Sequence, residues 1–377
     1  MLKLVLFGAG GGGELFLSVI EKYPRRFRVV AFCDNDPVKQ GEVMSGLPVV
    51  APADLPGMDF DHLLITSALD YELDIYAQLV DLGVPAGKIL CGSFLRMNAI
   101  DTRMAAFKAL SSSPEVCVTG LSYFHVGVLP DRFSRPAFNF SHPSQDIFFD
   151  RMIAADVLSH RPSPAPGAWI IGLAYYSFHY DMSLSRRWPG VFHYGHRYGF
   201  HNLSAQRRRE CAYAGQRKIF RDDVFDGALR SAFHGEQYRR DVLSRRASLA
   251  DSGRVVRDVQ AGVDFRKFYP STVEENISLL DAMLRDLSKR GVAAIVALPP
   301  VHGTYMDNVP VEKRDEFFEI VRGLRARHSF LFLDAGRWND FEDADFADPS
   351  HLNARGAAKF TARLDLAVEE AIARHDS

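Results

Sequence analysis

Asp348-Pro349-Ser350-His351-Leu352-Asn353, continued by Ala354-Arg355-Gly356, is the stretch on which the reading of this chain turns. It sets an acid three residues before a histidine, just ahead of a helical pattern near the C-terminus. Such a pair has two readings. It is either local chemistry that caps the helix, or the acid and base of a catalytic set whose nucleophile lies far upstream. The second reading requires a nucleophile at the end of a buried strand of an α/β domain, where such folds gather their functional groups.

Working back from that stretch, the apolar runs fall where a parallel sheet needs them. Val116-Cys117-Val118-Thr119-Gly120, Pro136 to Phe140, Ala168 to Gly172, Gly291 to Leu298 and Phe330 to Asp334 read as five strands, each ending in a polar loop. Directly after the first comes Leu121-Ser122-Tyr123. Ser122 is read either as a helix N-cap making one hydrogen bond or as a nucleophile at a helix N-terminus, where backbone N–H groups can meet a developing oxyanion. A serine hydroxyl needs a base to take its proton, an imidazole titrates near neutrality, and a carboxylate fixes the imidazole's tautomer. Ser122, His351 and Asp348 supply those three types. His125, one helical turn beyond Ser122, is read as a packing or cleft-lining residue, and His302, after Pro299-Pro300, as a substrate-contact candidate.

The blocks G-L-S-Y-F-H-V-G-V, N-F-S-H-P-S-Q-D, P-P-V-H-G-T-Y and D-P-S-H-L-N-A-R-G together resemble the SGNH/GDSL hydrolase superfamily, in particular the branch that modifies bacterial envelope polymers. The resemblance covers about residues 114–182 and 268–370. It implies a flavodoxin-like α/β fold with Ser122 as nucleophile, His351 as base and Asp348 as orienting acid. The superfamily usually places an oxyanion glycine after its second strand and an asparagine after its third. Here Ser141-His142 and Tyr175-Tyr176 stand at those places, so Ser141 and Tyr175 become the substitute candidates.

The first third is a separate α/β unit. Residues 2–8 form a strand that runs into Gly8-Ala9-Gly10-Gly11-Gly12-Gly13, with a helical pattern from Glu14. Strand, glycine turn and helix make a phosphate cradle. Asp34, 21 residues after Gly13, stands about where an acid meets a ribose hydroxyl. Gly8, Gly10, Gly13 and Asp34 are the cofactor-binding candidates; the other reading is a glycine turn used for tight packing. F-G-A-G-G-G-G-E, F-C-D-N-D-P-V-K-Q-G, G-L-P-V-V and I-T-S resemble the small Rossmann-like domain of bacterial surface-polysaccharide enzymes, which implies a nucleotide or nucleotide-sugar as ligand. A Tyr-x-x-x-Lys for hydride or epimerase chemistry is absent from residues 1–96.

The expected organisation is therefore α/β throughout. A Rossmann-like parallel-sheet domain occupies residues 1–96, a linker helix 97–112, and a flavodoxin-like SGNH-type domain 113–377 with a helical insertion at about 183–266. The insertion carries sixteen arginines, read as a solvated helical face or as a lid for an anionic sugar. Ser271-Thr272-Val273-Glu274 reads as a capping box. His193, His196 and His201 lack interleaved acids and are read as an aromatic surface loop, with no metal.

A formal net charge of −2 excludes a globally electrostatic nucleic-acid binder. The longest apolar runs are too short to span a membrane. Met1 to Phe7 reads as a first strand and not as a signal peptide. Cys33, Cys91, Cys117 and Cys211 are widely spaced and read as free thiols. Together these place the chain in the cytoplasm, as a monomer or homo-oligomer. The function expected is a serine-dependent acyl-ester hydrolase or O-acyltransferase, acetyl being the expected acyl group, acting on a bacterial surface polysaccharide or its sugar precursor and needing no cofactor for the ester step. The alternatives are a nucleotide-dependent sugar oxidoreductase or epimerase, and a non-catalytic assembly or binding protein with a vestigial triad.

Overall fold

The computed structural model describes residues 1–67, 69–92, 99–160, 165–185, 190–191, 194–199, 201–207, 229, 232–233, 235–236, 239–240, 248–251 and 260–375. His193, Arg208, Arg209, Cys211, Arg245 and Arg246 fall outside this set, and with them most of the arginine-rich stretch. The chain divides into two compact units, one of residues 1–102 and 191–239, the other of residues 103–190 and 240–377.

In the first unit, β1 (Leu2–Phe7) leads through the glycine turn into α1 (Gly11–Ile20), then β2 (Phe27–Cys33), β3 (Val43–Met44), β4 (Leu47–Val50), β5 (His62–Ile65), α2 (Leu69–Asp81) and β6 (Ile89–Cys91). The sheet order is β3-β4-β2-β1-β5-β6. All neighbours are parallel except the β3–β4 ribbon. The order reverses between β1 and β5, so the glycine turn sits at the topological switch point, where open α/β sheets bind ligands. Helix α1 starts at Gly11, three residues earlier than the apolar pattern implies. Its glycines allow this, because a Cβ on Gly12 would lie 2.4 Å from the Thr66 carbonyl and one on Gly13 2.2 Å from the Gly8 carbonyl. Phe16 of α1 is fully buried and packs on Phe233 at 4.6 Å between ring centroids. Residues from the arginine-rich stretch thus complete this core, joined at its rim by Lys22–Glu236 at 3.1 Å.

In the second unit, α3 (Ala99–Lys108), which begins in the first, is followed by β7 (Val116–Gly120), α4 (Ser122–Gly127), β8 (Ala137–Asn139), α5 (Ile147–His160) and β9 (Ala168–Gly172). At the end of the arginine-rich stretch lies α6 (Gln260–Asp264), followed by α7 (Val273–Lys289), β10 (Ala293–Leu298), α8 (Val311–Arg325), β11 (Leu331–Asp334), the short strands β12 (Phe346–Asp348) and β13 (His351–Leu352), and α9 (Ala354–His375). The five main strands are all parallel in the order β11-β10-β9-β7-β8. This is the 2-1-3-4-5 order of doubly wound sheets. Its switch point lies between β7 and β9, at the carboxyl end of the strand that precedes Ser122. Strands β7, β9 and β10 are buried on both faces, as parallel strands covered by helices must be.

The helices cover the sheet with apolar stripes at three- and four-residue spacing. Helix α7 buries Leu280, Met283, Leu284 and Leu287, and α9 buries Phe360, Leu364, Ala367, Val368 and Ala371. Each such Leu, Met, Phe or Val side chain contributes about 1.5–3 kcal/mol on burial. The expected capping box ahead of α7 does not form. Thr272 is the N-cap residue, and its hydroxyl instead donates to the Tyr269 and Phe178 carbonyls. Cys33 and Cys117 are buried free thiols, and burial pushes Cys33 up to about 12. Among the described residues, no helix is long and apolar enough to cross a membrane.

Candidate active site

Strand β7 delivers Ser122 through a tight corner. Gly120 has φ +149°, a conformation that favours glycine, and a Cβ there would lie 2.7 Å from the Gly172 carbonyl of the neighbouring β9. Gly172 in turn lies under the Phe124 ring, which a Cβ would strike. These contacts press α4 onto the carboxyl ends of β7 and β9. Leu121 is the N-cap residue of α4. Ser122 therefore does not serve as the cap, and its hydroxyl is free for another partner. Asn139 at the end of β8 secures the same helix from its far end, donating to the Phe124 and Val128 carbonyls at 2.9 and 3.2 Å.

That partner is His351. Ser122 Oγ lies 2.9 Å from His351 Nε2. On the other side of the ring, Nδ1 lies 3.0 and 3.1 Å from the two Asp348 carboxylate oxygens. The acid and base stand directly opposite each other in the β12–β13 ribbon, with Pro349 and Ser350 as its two-residue turn. Asp348 Oδ1 accepts the Ser350 and His351 N–H groups and the Ser350 hydroxyl. Burial opposes ionisation of Asp348, but these donors and the imidazole outweigh it and hold the carboxyl well below its usual range. A carboxylate at Nδ1 assigns the proton to Nδ1 and leaves Nε2 as acceptor for the Ser122 hydroxyl. His351 keeps 21% of its side chain exposed.

The rest of the D-P-S-H-L-N-A-R-G stretch builds the support. Asn353 caps α9, its side-chain oxygen accepting the Arg355 and Gly356 N–H groups. Gly356 lies against the Asp345 backbone, where a Cβ would come within 2.1 Å of the carbonyl. His302 braces the turn from outside. Its N–H donates to the Pro349 carbonyl, while its ring joins Thr304 and Asp343 and not Ser122.

The two substitute oxyanion residues each hold a hydrogen bond to another residue. Ser141 donates its N–H to Asn139 Oδ1 at 2.9 Å, and its carbonyl accepts from Arg103. Its hydroxyl is buried and has no hydrogen-bond partner among the described residues. Tyr175 turns towards the β11 edge and donates to Asp334 at 3.1 Å. Among the described residues the Ser122 and Tyr123 N–H groups, in the first turn of α4, make no backbone hydrogen bond, whereas the next two bond to the Leu121 carbonyl. His125 is 5% exposed and packed, with Nδ1 3.0 Å from Arg103.

Sequence reasoning missed Ser350, Asn139 and Tyr123. Ser350 was visible inside the motif; nothing local marks the other two. Tyr123 stacks on His351 at 5.3 Å between centroids and 20° between planes.

In the first unit the candidates gather around the glycine turn. Gly8 takes φ +121°. Asp34 reaches back across the turn, accepting the Ala9 N–H at 2.7 Å, the Asp36 N–H at 2.9 Å and Lys39 Nζ at 3.1 Å. Burial disfavours its charge, but these donors prevail and its pKa is lowered. Gly12 and Gly13 are required by packing, whereas a Cβ on Gly10 or Gly11 would meet nothing within 4 Å.

Residues 1–90 match the family model described as C2185-like, N-terminal. This unit is a Rossmann-like domain. Among solved structures the chain is similar to a UDP-D-quinovosamine 4-dehydrogenase from Vibrio fischeri, with 24% identity over 24% of this chain and 76% of that one and a TM-score of 0.20. It is also similar to a myo-inositol dehydrogenase from Corynebacterium glutamicum, with 18% identity over 43% of this chain and 54% of that one and a TM-score of 0.23. No curated protein matches the chain.

Proposed function

We propose that this chain is a serine-dependent acyl-ester enzyme of the SGNH type, a hydrolase or O-acyltransferase working in the cytoplasm on an acylated carbohydrate destined for a bacterial surface polymer. The observation that carries the reading is the hydrogen-bonded chain from Ser122 Oγ through His351 to Asp348, at 2.9 and 3.0 Å, at the switch point of a five-stranded parallel sheet. The resemblance of the four sequence blocks to the envelope-polymer branch suggests the substrate class.

In this mechanism Ser122 Oγ attacks the ester carbonyl while its proton passes to His351 Nε2. Asp348, held ionised by its turn, supports the imidazolium without taking the proton. The Ser122 and Tyr123 N–H groups are the donors available to the oxyanion. Collapse of the tetrahedral intermediate breaks the bond to the sugar oxygen, which leaves with the proton from Nε2. Water, or an acceptor hydroxyl in a transferase, then gives its proton to Nε2 and attacks the acyl-serine, regenerating Ser122. Turnover of p-nitrophenyl acetate or an O-acetylated sugar tests the reading. Ser122→Ala is expected to remove it, and undiminished turnover in that variant would overturn the assignment.

A second reading, nucleotide-dependent sugar chemistry centred on the first unit, is favoured by the open Cβ space at Gly10 and Gly11. Those two positions would let phosphate oxygens approach the backbone at the N-terminus of α1. Asp34, already engaged by three donors, would meet a ribose hydroxyl with its remaining acceptor capacity. The two readings are compatible if the first unit holds a nucleotide-sugar and the second acts on an ester. Calorimetric titration with NAD or a UDP-sugar, in the full chain and in Gly10→Val, tests this arm; equal binding by both proteins would remove it.

A further inference from the structure

Tyr123 follows the proposed nucleophile in sequence and lies flat against the proposed base. Its ring is 4% exposed and stacks on His351. Its hydroxyl donates to Asp264 Oδ2 at 2.7 Å. Asp264 is 1% exposed, and buried carboxylates are costly unless their lone pairs are met. Here four donors converge on one carboxylate. Tyr305 donates to the same Oδ2 at 3.1 Å, while Gln260 and Lys267 reach Oδ1 at 2.8 and 2.7 Å. The Lys267 ammonium also lies over the Tyr176 ring at 4.9 Å.

This anchor belongs to α6, 141 residues from Tyr123 along the chain. A core network satisfied for stability alone has no need to end on a catalytic ring. This one does, and it ends on the residue bonded directly to Ser122. The two hydrogen bonds of His351 lie in the plane of the imidazole and leave tilting of the ring about them weakly opposed. An aromatic face held from behind stops that tilt on one side and fixes the spacing between serine and base. Burial, with Tyr176, Tyr305 and Asp264 nearby, raises the Tyr123 pKa well above its ordinary value, so the hydroxyl remains a donor throughout the working range.

We infer that Tyr123 is a positioning residue, a strut anchored on Asp264 that sets the His351 ring against Ser122. This rests on the acyl-ester reading of the same site, and the test separates the two. Tyr123→Leu removes the stacking face, and Tyr123→Phe keeps the face but releases it from Asp264. Displacing a catalytic group by about 1 Å costs up to about 10²-fold, so on p-nitrophenyl acetate kcat is expected to fall by about 10- to 100-fold in Tyr123→Leu and by a smaller factor in Tyr123→Phe, with KM unchanged in both.

The readout independent of turnover is the His351 imidazole in NMR spectra of ¹⁵N-histidine protein, assigned with His351→Ala. Its ring protons should move downfield in Tyr123→Leu as the ring current is lost, and should be partly restored in Tyr123→Phe. Normal kcat in Tyr123→Leu, with wild type active and Ser122→Ala inactive, would overturn the strut and leave the ester reading standing. Unchanged His351 signals would overturn it as well. If wild type and Ser122→Ala are equally inactive, the ester reading fails, and the strut's catalytic role fails with it.

Discussion

Both units place a polar turn at the end of a first or early parallel strand, at the point where the sheet order reverses, yet the two turns are built for different work. In the first unit the turn after β1 is glycine, and Asp34, reaching in from the end of β2, is spent tying the Ala9 and Asp36 amides and Lys39. What it offers outward is backbone. In the second unit the turn after β7 offers a side chain, Ser122, and a distant ribbon brings an imidazole and a carboxylate to it. The same topological position thus presents open backbone in one case and, in the other, a serine hydroxyl within hydrogen-bond reach of a histidine. The difference lies in whether side chains are consumed holding the loop or are left to meet each other.

The largest effect expected from this contrast is on turnover. Asp348→Asn would leave the ribbon intact but lose the charge that fixes the His351 tautomer, and comparable losses are about 10⁴-fold; ester assays at several pH values check this. A loss below tenfold would mean that the acid only shapes the turn. Next in size is the glycine turn. Gly13→Val drives a side chain into the Gly8 carbonyl and the Phe32 ring, a clash expected to destabilise the protein by about 1–3 kcal/mol or more, whereas Gly10→Ala should change stability by less than about 0.5 kcal/mol. Urea unfolding of both variants measures the difference. Equal stabilities would remove the distinction between packing glycines and open ones.

The smallest effect separates the acids of the two units by pH. Asp34 has its pKa lowered by its donors, so it binds fewer protons folded than unfolded, and its contribution is lost as pH falls below the ordinary carboxylate range. Asp146, buried at the start of α5 beside Asp181, is pushed up to about 7. It binds more protons folded than unfolded between about pH 4 and 7, so its contribution to stability declines as pH rises through that window. Asp146→Asn should flatten the decline in melting temperature between pH 5 and 7, and Asp34→Asn should not.

How much of this was legible depended on chain separation. Asp348 and His351 could be paired from sequence because two residues of turn carry them to one ribbon. Ser122 could be placed because β7 is a buried β-branched run ending in glycine. The five main strands of the second unit were readable, since each is a short apolar run between polar loops. The partners of the two oxyanion candidates were not readable: Tyr175 meets Asp334, 159 residues on, while the Ser141 N–H turns back onto Asn139 at the end of its own strand. The Tyr123–Asp264 anchor joins residues 141 apart, the second near the end of the arginine-rich stretch, and leaves no local pattern. The capping box failed because the 3-10 turn Pro270–Thr272 carries the helix start one residue on, making Thr272 and not Ser271 the N-cap.

The most direct measurement of the central claim is covalent labelling of the full chain with a fluorophosphonate, read by intact mass and peptide mapping. A serine activated by a histidine should take up one equivalent, on Ser122, and His351→Ala should abolish the reaction. No uptake by the wild type, or uptake that persists when His351 is removed, would contradict the claim that Ser122, His351 and Asp348 act as one catalytic unit.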